Sequence, residues 1–235
     1  MNNNYFIKEG YKPNLYQRTY DSNSNEKFWN ENRLKSAKNL QYYVYHTCNK
    51  LILKNNFNKI MDVGCGPPMK IRNMFDLAKI DLTLIDQPSI EKHVKRIIPY
   101  ARFISLNLEN PDINLGEKFQ MIICSDVIEH LLEPDNCIKF IKKHIDIKGL
   151  VIFSTPERDY RRGISCMSCN KKEHIREWNK REFALYIESH GFRIIKHLLF
   201  PQMKINYFIF ILSRILKGYI CNPKYYSCQT VVCTI

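Results

Sequence analysis

The sequence predicts an α/β fold with a mostly parallel sheet and helices on both faces. Two observations carry this expectation. From Lys59 onward, short apolar runs alternate with stretches of helical periodicity, and the first run passes straight into a glycine turn, Asp62-Val63-Gly64-Cys65-Gly66. The runs are Ile60–Val63, Leu82–Ile85, Phe103–Leu106, Met121–Cys124 and Leu150–Phe153. Such runs suit strands buried on both faces, and the helices between them make βαβ units. Helices are predicted near 68–79, 89–98 and 134–147. In the last, Pro134 suits the first turn, Cys137, Ile138, Ile141 and Ile145 form the apolar stripe, and Gly149 stands past the end. A helix over about 179–190 and strands over 192–199 and 226–234 complete a seven-stranded pattern, with an apolar insertion at about 200–224. Ahead of the alternation, residues 1–25 are rich in Asn, Tyr and Ser and show no periodicity, which predicts a loosely ordered arm. Ala37, Leu40, Val44, Cys48 and Leu51 then predict one amphipathic helix over roughly 28–54. The boundaries that follow are an arm and helix over 1–57, covering a substrate or cofactor site, and a binding domain over 58–235.

Bulk composition narrows the class. A chain of 235 residues that is 45% hydrophobic can bury a sizeable core, which excludes global disorder. The net charge of +13 suits an anionic partner. No run of five basic residues occurs, however, and a scattered basic surface accounts for the same excess. Nine cysteines are an odd number in a chain too long to need disulfide staples. Met1-Asn2-Asn3-Asn4 lacks the basic and apolar regions of a signal peptide, so a cytoplasmic protein with reduced thiols is expected. The most lipid-like stretch, Ile205–Ser213 between Lys204 and Arg214, is far short of a membrane span.

The glycine turn carries the first chemistry. Glycines admit close approach of a ligand to the backbone, and the following helix presents free N–H groups. A dinucleotide site wants a third glycine three positions after Gly66, to let helix and strand pack closely; Met69 stands there instead. Asp86 ends the next apolar run, where a carboxylate can take both hydroxyls of a ribose. The segment from Asp62 to Gly66 resembles motif I of the class I S-adenosylmethionine-dependent methyltransferases, a Rossmann-like family. The resemblance implies that Asp62, Gly64 and Gly66 hold the amino-acid end of S-adenosylmethionine and that Asp86 and Gln87 hold its ribose. It places Asn107 and Leu108 at the adenine, with Asn107 where the family usually has Asp, and Ser125 beside the cofactor.

Downstream segments sharpen the resemblance. Ser125-Asp126-Val127-Ile128-Glu129-His130-Leu131 and Ser154-Thr155-Pro156-Glu157-Arg158-Asp159 resemble stretches of the ubiquinone-type O-methyltransferases. His174-Ile175-Arg176-Glu177-Trp178, with Glu182-Phe183 and Gly191-Phe192, is similar to methyltransferases of surface-polysaccharide clusters. Asp126, Glu129 and His130 would share one face of a helical turn. Two carboxylates and an imidazole suit Mg²⁺ or Mn²⁺, with His174 completing the set. Small-RNA 2′-O-methyltransferases look similar here, and their resemblance implies a metal on Asp126, Glu129, His130 and His174. The competing reading gives Glu129 and His130 a metal-free role as base and partner. Cys166 and Cys169 have zinc-knuckle spacing without a second pair, so a loop with two thiols is expected.

Methyl transfer from a sulfonium is an in-line displacement, so the enzyme's task is to align acceptor and methyl carbon away from water. A hydroxyl acceptor also gains from a base or metal, which points to O-methylation with Glu129, His130 and His174 as catalytic residues. Arg158, Arg161 and Arg162 predict an anion-binding loop within 156–178, suited to a sugar- or phosphate-containing small molecule. An RNA 2′-hydroxyl is the alternative acceptor. A non-catalytic cofactor-binding or scaffolding relative is the alternative of another class.

Overall fold

In a computed structural model, residues 4–15, 29, 31–205 and 226–235 are described. Helices α1 (Glu31–Ala37) and α2 (Tyr42–Asn55) precede β1 (Lys59–Val63), α3 (Met69–Met74), β2 (Asp81–Asp86), α4 (Glu91–Ile97), β3 (Arg102–Ser105) and β4 (Phe119–Ser125). Then come α5 (Pro134–His144), β5 (Ile145–Pro156), α6 (Arg158–Arg162), α7 (Lys180–Ser189), β6 (Arg193–Phe200) and β7 (Cys228–Thr234). The seven strands form one sheet in the order β3-β2-β1-β4-β5-β7-β6, parallel except for β7, which runs antiparallel to β5 and β6. Strand order reverses between β1 and β4. A ligand crevice therefore lies beyond their carboxyl ends, the usual location in open α/β sheets.

Alternation along each central strand divides the core. Met61 and Val63 point to one face, with Phe153, Ile138, Ile141, Trp178 and Phe183. Ile60 points to the other, with Val44, Cys48, Ile71 and Val94. Both faces are thus covered, which is why β1 and β4 read as continuous apolar runs.

Several boundaries differ from the sequence reading for identifiable reasons. The single helix expected over 28–54 is two. Gln41 interrupts it in the left-handed region (φ 51°), with its backbone N–H donated to the Gln202 carbonyl at 2.9 Å. The helix expected over 68–79 ends at Met74, where Phe75 turns extended. Helix α5 stops at His144 and β5 begins at once, so Gly149 lies inside a strand rather than beyond a helix. A side chain at Gly149 would crowd Ile145 Cδ1 at 2.7 Å, which explains the glycine. The arm is not loose over residues 4–15: Ile7 and Tyr11 are buried in the core. Lys12 N–H bonds the Met167 carbonyl (2.8 Å), Asn14 N–H the Ile175 carbonyl (2.7 Å), and Trp178 Nε1 the Tyr5 carbonyl (2.9 Å). The apolar stretch 206–225 lies outside the described residues, and among those described no helix is long and apolar enough to cross a membrane.

The region 156–178 contains α6, and two of its arginines are committed internally. Arg158 is fully buried and grips Glu182 through two bonds of 2.6 and 2.9 Å, with Asp159 at 3.0 Å. Arg162 grips Glu177 through two bonds of 3.0 Å. The expected three-guanidinium anion site is therefore not formed, because carboxylates of the same chain satisfy two of the three. Glu182 also accepts from Asn179 N–H while the Asn179 side chain accepts from Glu182 N–H, a capping box that starts α7. Replacing Arg158 with Met leaves Glu182 buried without its partner and should cost about 3–5 kcal/mol in urea unfolding. Arg158→Met with Glu182→Gln should recover part of that loss.

Candidate functional site

The carboxyl ends of β1, β2 and β4 deliver three acidic residues to one rim. Asp62, last but one in β1, is fully buried; Oδ2 accepts from Tyr45 Oη at 2.9 Å and Oδ1 has no hydrogen-bond partner. Burial pushes its pKa up to about 7, against the Tyr45 hydrogen bond and the charge of Lys70. Asp86, at the end of β2, accepts from the Gly66 and Gln87 backbone N–H groups at 2.7 Å each. Burial raises it to about 6, although both bonds favour the charged form. Gly64 and Gly66 have φ of 72° and 51°, so both need glycine's freedom. Trp29 lies against Gly66, its ring edge 3.4 Å from where a Cβ would stand.

Asn107 Oδ1 accepts from the Glu109 N–H at 3.0 Å, capping its own turn, and Leu108 packs on the core. The Ser125 hydroxyl is engaged inside the sheet, 2.7 Å from Ser154 Oγ, which in turn donates to Asp126 Oδ1 at 3.0 Å. Asp126 adopts a left-handed backbone (φ 53°) and accepts at Oδ2 from Gln41 Nε2 at 2.7 Å. Its side chain is thereby tied to β5 and to the residue before α2. It is not part of the group formed by Glu129, His130 and His174, so the four-ligand set expected from sequence reduces to three.

Those three do converge. Ligand-capable atoms of Glu129, His130 and His174 lie within 4.8 Å of one another, and the imidazoles meet edge to face at 4.7 Å. The approach is built by the backbone: the Glu129 carbonyl accepts the Ile175 N–H at 2.8 Å, folding the 174–178 segment back over the end of β4. Arg176 fastens the same join, donating to the Leu131 and Leu132 carbonyls at 2.9 Å each while its guanidinium rests on the Tyr5 ring. Both carboxylate oxygens of Glu129 are buried without a hydrogen bond. Burial, with Asp126 and Glu177 nearby, drives its pKa well above the usual range, and Lys171 is the cation that opposes this. His130 is held down to about 3 by burial and by His174 and Lys171, so it is neutral. Its Nδ1 lies against the Glu173 carbonyl, which fixes the proton there and leaves Nε2 with a lone pair.

Neighbours missed by the sequence reading complete the site. Glu177 accepts from His174 Nδ1 at 2.6 Å and is fully buried. Burial alone would raise its pKa, but His174 and Arg162 overcome that and hold it near 2. Lys171 Nζ stands 2.8 Å from His174 Nε2. Lys70 is buried, donates to the Ala37 carbonyl at 3.1 Å and sits over the Tyr45 ring. Glu177 lies in the 174–178 segment but was read there only as part of a resemblance, and Lys171 and Lys70 lie in no motif, since lysines in a basic chain carry no positional signal. Cys169 Sγ also lies within 4.8 Å of His174 and Glu177, yet Arg162 faces it at 3.9 Å and burial, with Glu177, pushes the thiol up to about 12. Cys166 Sγ turns away to the Ser168 carbonyl.

The mostly parallel sheet, its antiparallel seventh strand and the glycine turn at the strand-order switch are the architecture of the Rossmann-like class I methyltransferase fold. The methyltransferase-domain family matches residues 36–197, and the chain belongs to it. It is 26% identical over 127 residues to the ubiquinone biosynthesis O-methyltransferase of Histophilus somni, a match covering 51% of this chain and 52% of that protein. The chain thus spans about half the length of the curated relatives it matches. Among solved structures, the plantazolicin methyltransferase BamL, in complex with a desmethylPZN analog and SAH, superposes with a TM-score of 0.62 at 16% identity, covering 92% of this chain and 91% of that one. The methyltransferase domain of bacterial CtHen1-C gives 0.60 at 18% identity, over 84% and 99%.

Gly64 is also confined by packing, since a Cβ there would overlap Val127 Cγ2. Gly64→Ala should therefore destabilise by about 1–3 kcal/mol in urea unfolding. Val127→Ala in the same chain should relieve the steric part but not the backbone part.

Proposed function

We propose that the chain transfers the methyl group of S-adenosylmethionine to a hydroxyl oxygen of a small acceptor. The observation that supports this most is the convergence of Glu129, His130 and His174 at the carboxyl end of β4, beside the rim formed by Asp62 and Asp86. On this reading the unpartnered Asp62 oxygen receives the cofactor's ammonium, the positive-φ turn at Gly64 and Gly66 turns the backbone toward its methionine portion, and Asp86 and Gln87 hold the ribose. Asn107 and Leu108 flank the adenine; Ser125 contributes through its backbone, because its hydroxyl is already engaged. Trp29 and Gln41 give the amino-terminal segment its role, closing over Gly66 and Asp126. The named activity of the ubiquinone-type relatives supports oxygen as the acceptor atom.

In the reaction, a lone pair of the acceptor oxygen forms the new C–O bond as the C–S bond breaks toward sulfur. The hydroxyl proton passes to His130 Nε2, the imidazole nitrogen left open by the bond at Nδ1. His174 is oriented by Glu177 in the manner of a carboxylate–imidazole pair, which fixes its tautomer. Glu129 and the two imidazoles have the donor character for Mg²⁺ or Mn²⁺, but Lys171 Nζ already stands 2.8 Å from His174 Nε2. With Arg158 and Arg162 committed internally, Arg161 is the arginine of that loop left to meet an anionic acceptor.

Two outcomes follow. Asp62 and Asp86 have pKa values raised in the folded, unliganded protein. Their contribution to stability is therefore full at low pH and lost as pH rises from the unfolded carboxylate value, about 4, through 6 and 7. Binding to the ionised carboxylates should release protons near pH 6, so S-adenosylhomocysteine should raise Tm more at pH 8 than at pH 5. Calorimetry in buffers of different ionisation enthalpy measures the release; binding with no proton exchange would remove Asp62 and Asp86 from the cofactor's contacts. With labelled S-adenosylmethionine and a panel of phenols, sugars, their phosphates and an RNA oligonucleotide, label should enter a hydroxyl. Glu129→Gln and His130→Ala should lower kcat by about 10²–10⁴ without weakening S-adenosylhomocysteine binding. Transfer confined to amines, or variants as fast as the parent, refutes the proposal.

A further inference from the structure

The cluster at the end of β4 presents lone pairs without a matching donor. His130 Nδ1 is turned to the Glu173 carbonyl and His174 Nδ1 to Glu177, so each ring leaves its Nε2 as an acceptor, that of His174 already facing Lys171 Nζ at 2.8 Å. Glu129 adds two buried oxygens that accept no hydrogen bond. A carboxyl group and two imidazoles, each with a ligand-capable atom within 4.8 Å of the others, suit a cation. The surrounding guanidinium groups are committed elsewhere: Arg162 to Glu177 and Arg176 to two carbonyls. Arg33 pairs with Glu173, on the outer side of the segment.

We propose that this cation is the chain's own Lys171 ammonium, which takes the position a divalent ion would fill and presents a donor to the acceptor oxygen. The inference rests on reading the cluster as the acceptor end of a methyltransferase. Lys171 Nζ is 2.8 Å from His174 Nε2, within the sphere any metal bound to that nitrogen would need. An ammonium has three N–H donors. One meets His174 Nε2, and the other two remain for Glu129 and for an oxygen arriving beside His130 Nε2. The charge also favours the ionised form of Glu129. A divalent ion at the same nitrogens would stand against this positive charge at close range, so the lysine and the metal exclude each other. Lys171 is thus a catalytic residue of the proposed reaction, fixed on the chain rather than recruited from solution.

The test is Mn²⁺ titration of the full chain, followed by electron paramagnetic resonance and calorimetry, with S-adenosylhomocysteine affinity measured on the same samples. The parent should bind no Mn²⁺ at this site, and its methyl transfer should survive EDTA. Lys171→Met should gain one Mn²⁺ site with an affinity at least about tenfold above the parent's, and His130→Ala added to it should abolish that site. Lys171→Arg keeps the charge and should stay metal-free, which separates the charge from a purely structural role. The proposal is overturned if the parent binds one Mn²⁺ in a manner lost on His130→Ala. It is equally overturned if Lys171→Met binds S-adenosylhomocysteine like the parent yet gains no Mn²⁺. If Lys171→Met does not fold, Lys171→Gln replaces it under the same criteria. Failure of the parent to bind S-adenosylhomocysteine would instead refute the methyltransferase reading, while the Mn²⁺ result would still decide what fills the cluster.

Discussion

Carboxyl groups held out of water at and beside the carboxyl ends of β1, β2 and β4 are the constraint around which the rest of this molecule is arranged. Asp62, Glu129 and Glu177 are fully buried, and Asp86 and Asp126 stand beside them. Each such group is costly unless something donates to it. Tyr45 reaches Asp62 from α2, Gln41 reaches Asp126 from the break before α2, and the glycine turn gives its N–H to Asp86. Glu177 is the best served, between His174 and Arg162, and is driven below the ordinary carboxylate range. Asp62 and Glu129 keep unpartnered oxygens and are driven above it. The carboxylates split into those that hold the structure together and those left with capacity for a ligand. Neighbouring donors set that division, because burial is common to both groups.

This division explains what could be read from the sequence. The alternation of apolar runs and helices is a property of single segments, so the seven strands and the glycine turn were legible. The capacity of Glu129, His130 and His174 to meet was legible only by resemblance, since nothing in residues 129 and 174 themselves states that Ile175 pairs with the Glu129 carbonyl. Arg158 and Arg162 show the opposite failure. Three arginines close together read as an anion site, but Glu177 and Glu182 take two of them, and those partners are 15 and 24 residues away. Sequence shows the charge and not where its partner sits. The break at Gln41 was invisible for a related reason: its left-handed backbone is supported by the Gln202 carbonyl, 161 residues later, over any local helical preference.

The amino-terminal arm follows the same logic. Its composition suggests a loosely ordered arm, yet over residues 4–15 Tyr5, Ile7 and Tyr11 act as apolar anchors while the backbone pairs with Met167 and Ile175. These contacts fall on the 164–178 segment, the one that brings His174 to Glu129. Tyr11 Oη accepts the Glu177 N–H, and Tyr5 lies under the Arg176 guanidinium. Residues remote in sequence from the imidazole therefore determine its position, and the arm belongs to the site's support as much as to its cover.

Methyl transfer asks little of a protein beyond alignment and the fate of one proton. In the proposed reaction the cofactor side is correspondingly spare: a positive-φ glycine turn and two carboxyl groups. On the other side Lys171, His174, Glu177 and Arg162 form a connected chain of charge and hydrogen bonds, with Glu129 and His130 packed against it. In the proposed reaction an acceptor entering there would meet groups already fixed by one another, leaving little reorganisation for the reaction itself. Its chemistry is constrained by that chain, whereas its size and shape depend on how the arm and the 156–178 segment are braced, which is a matter of packing rather than of motif.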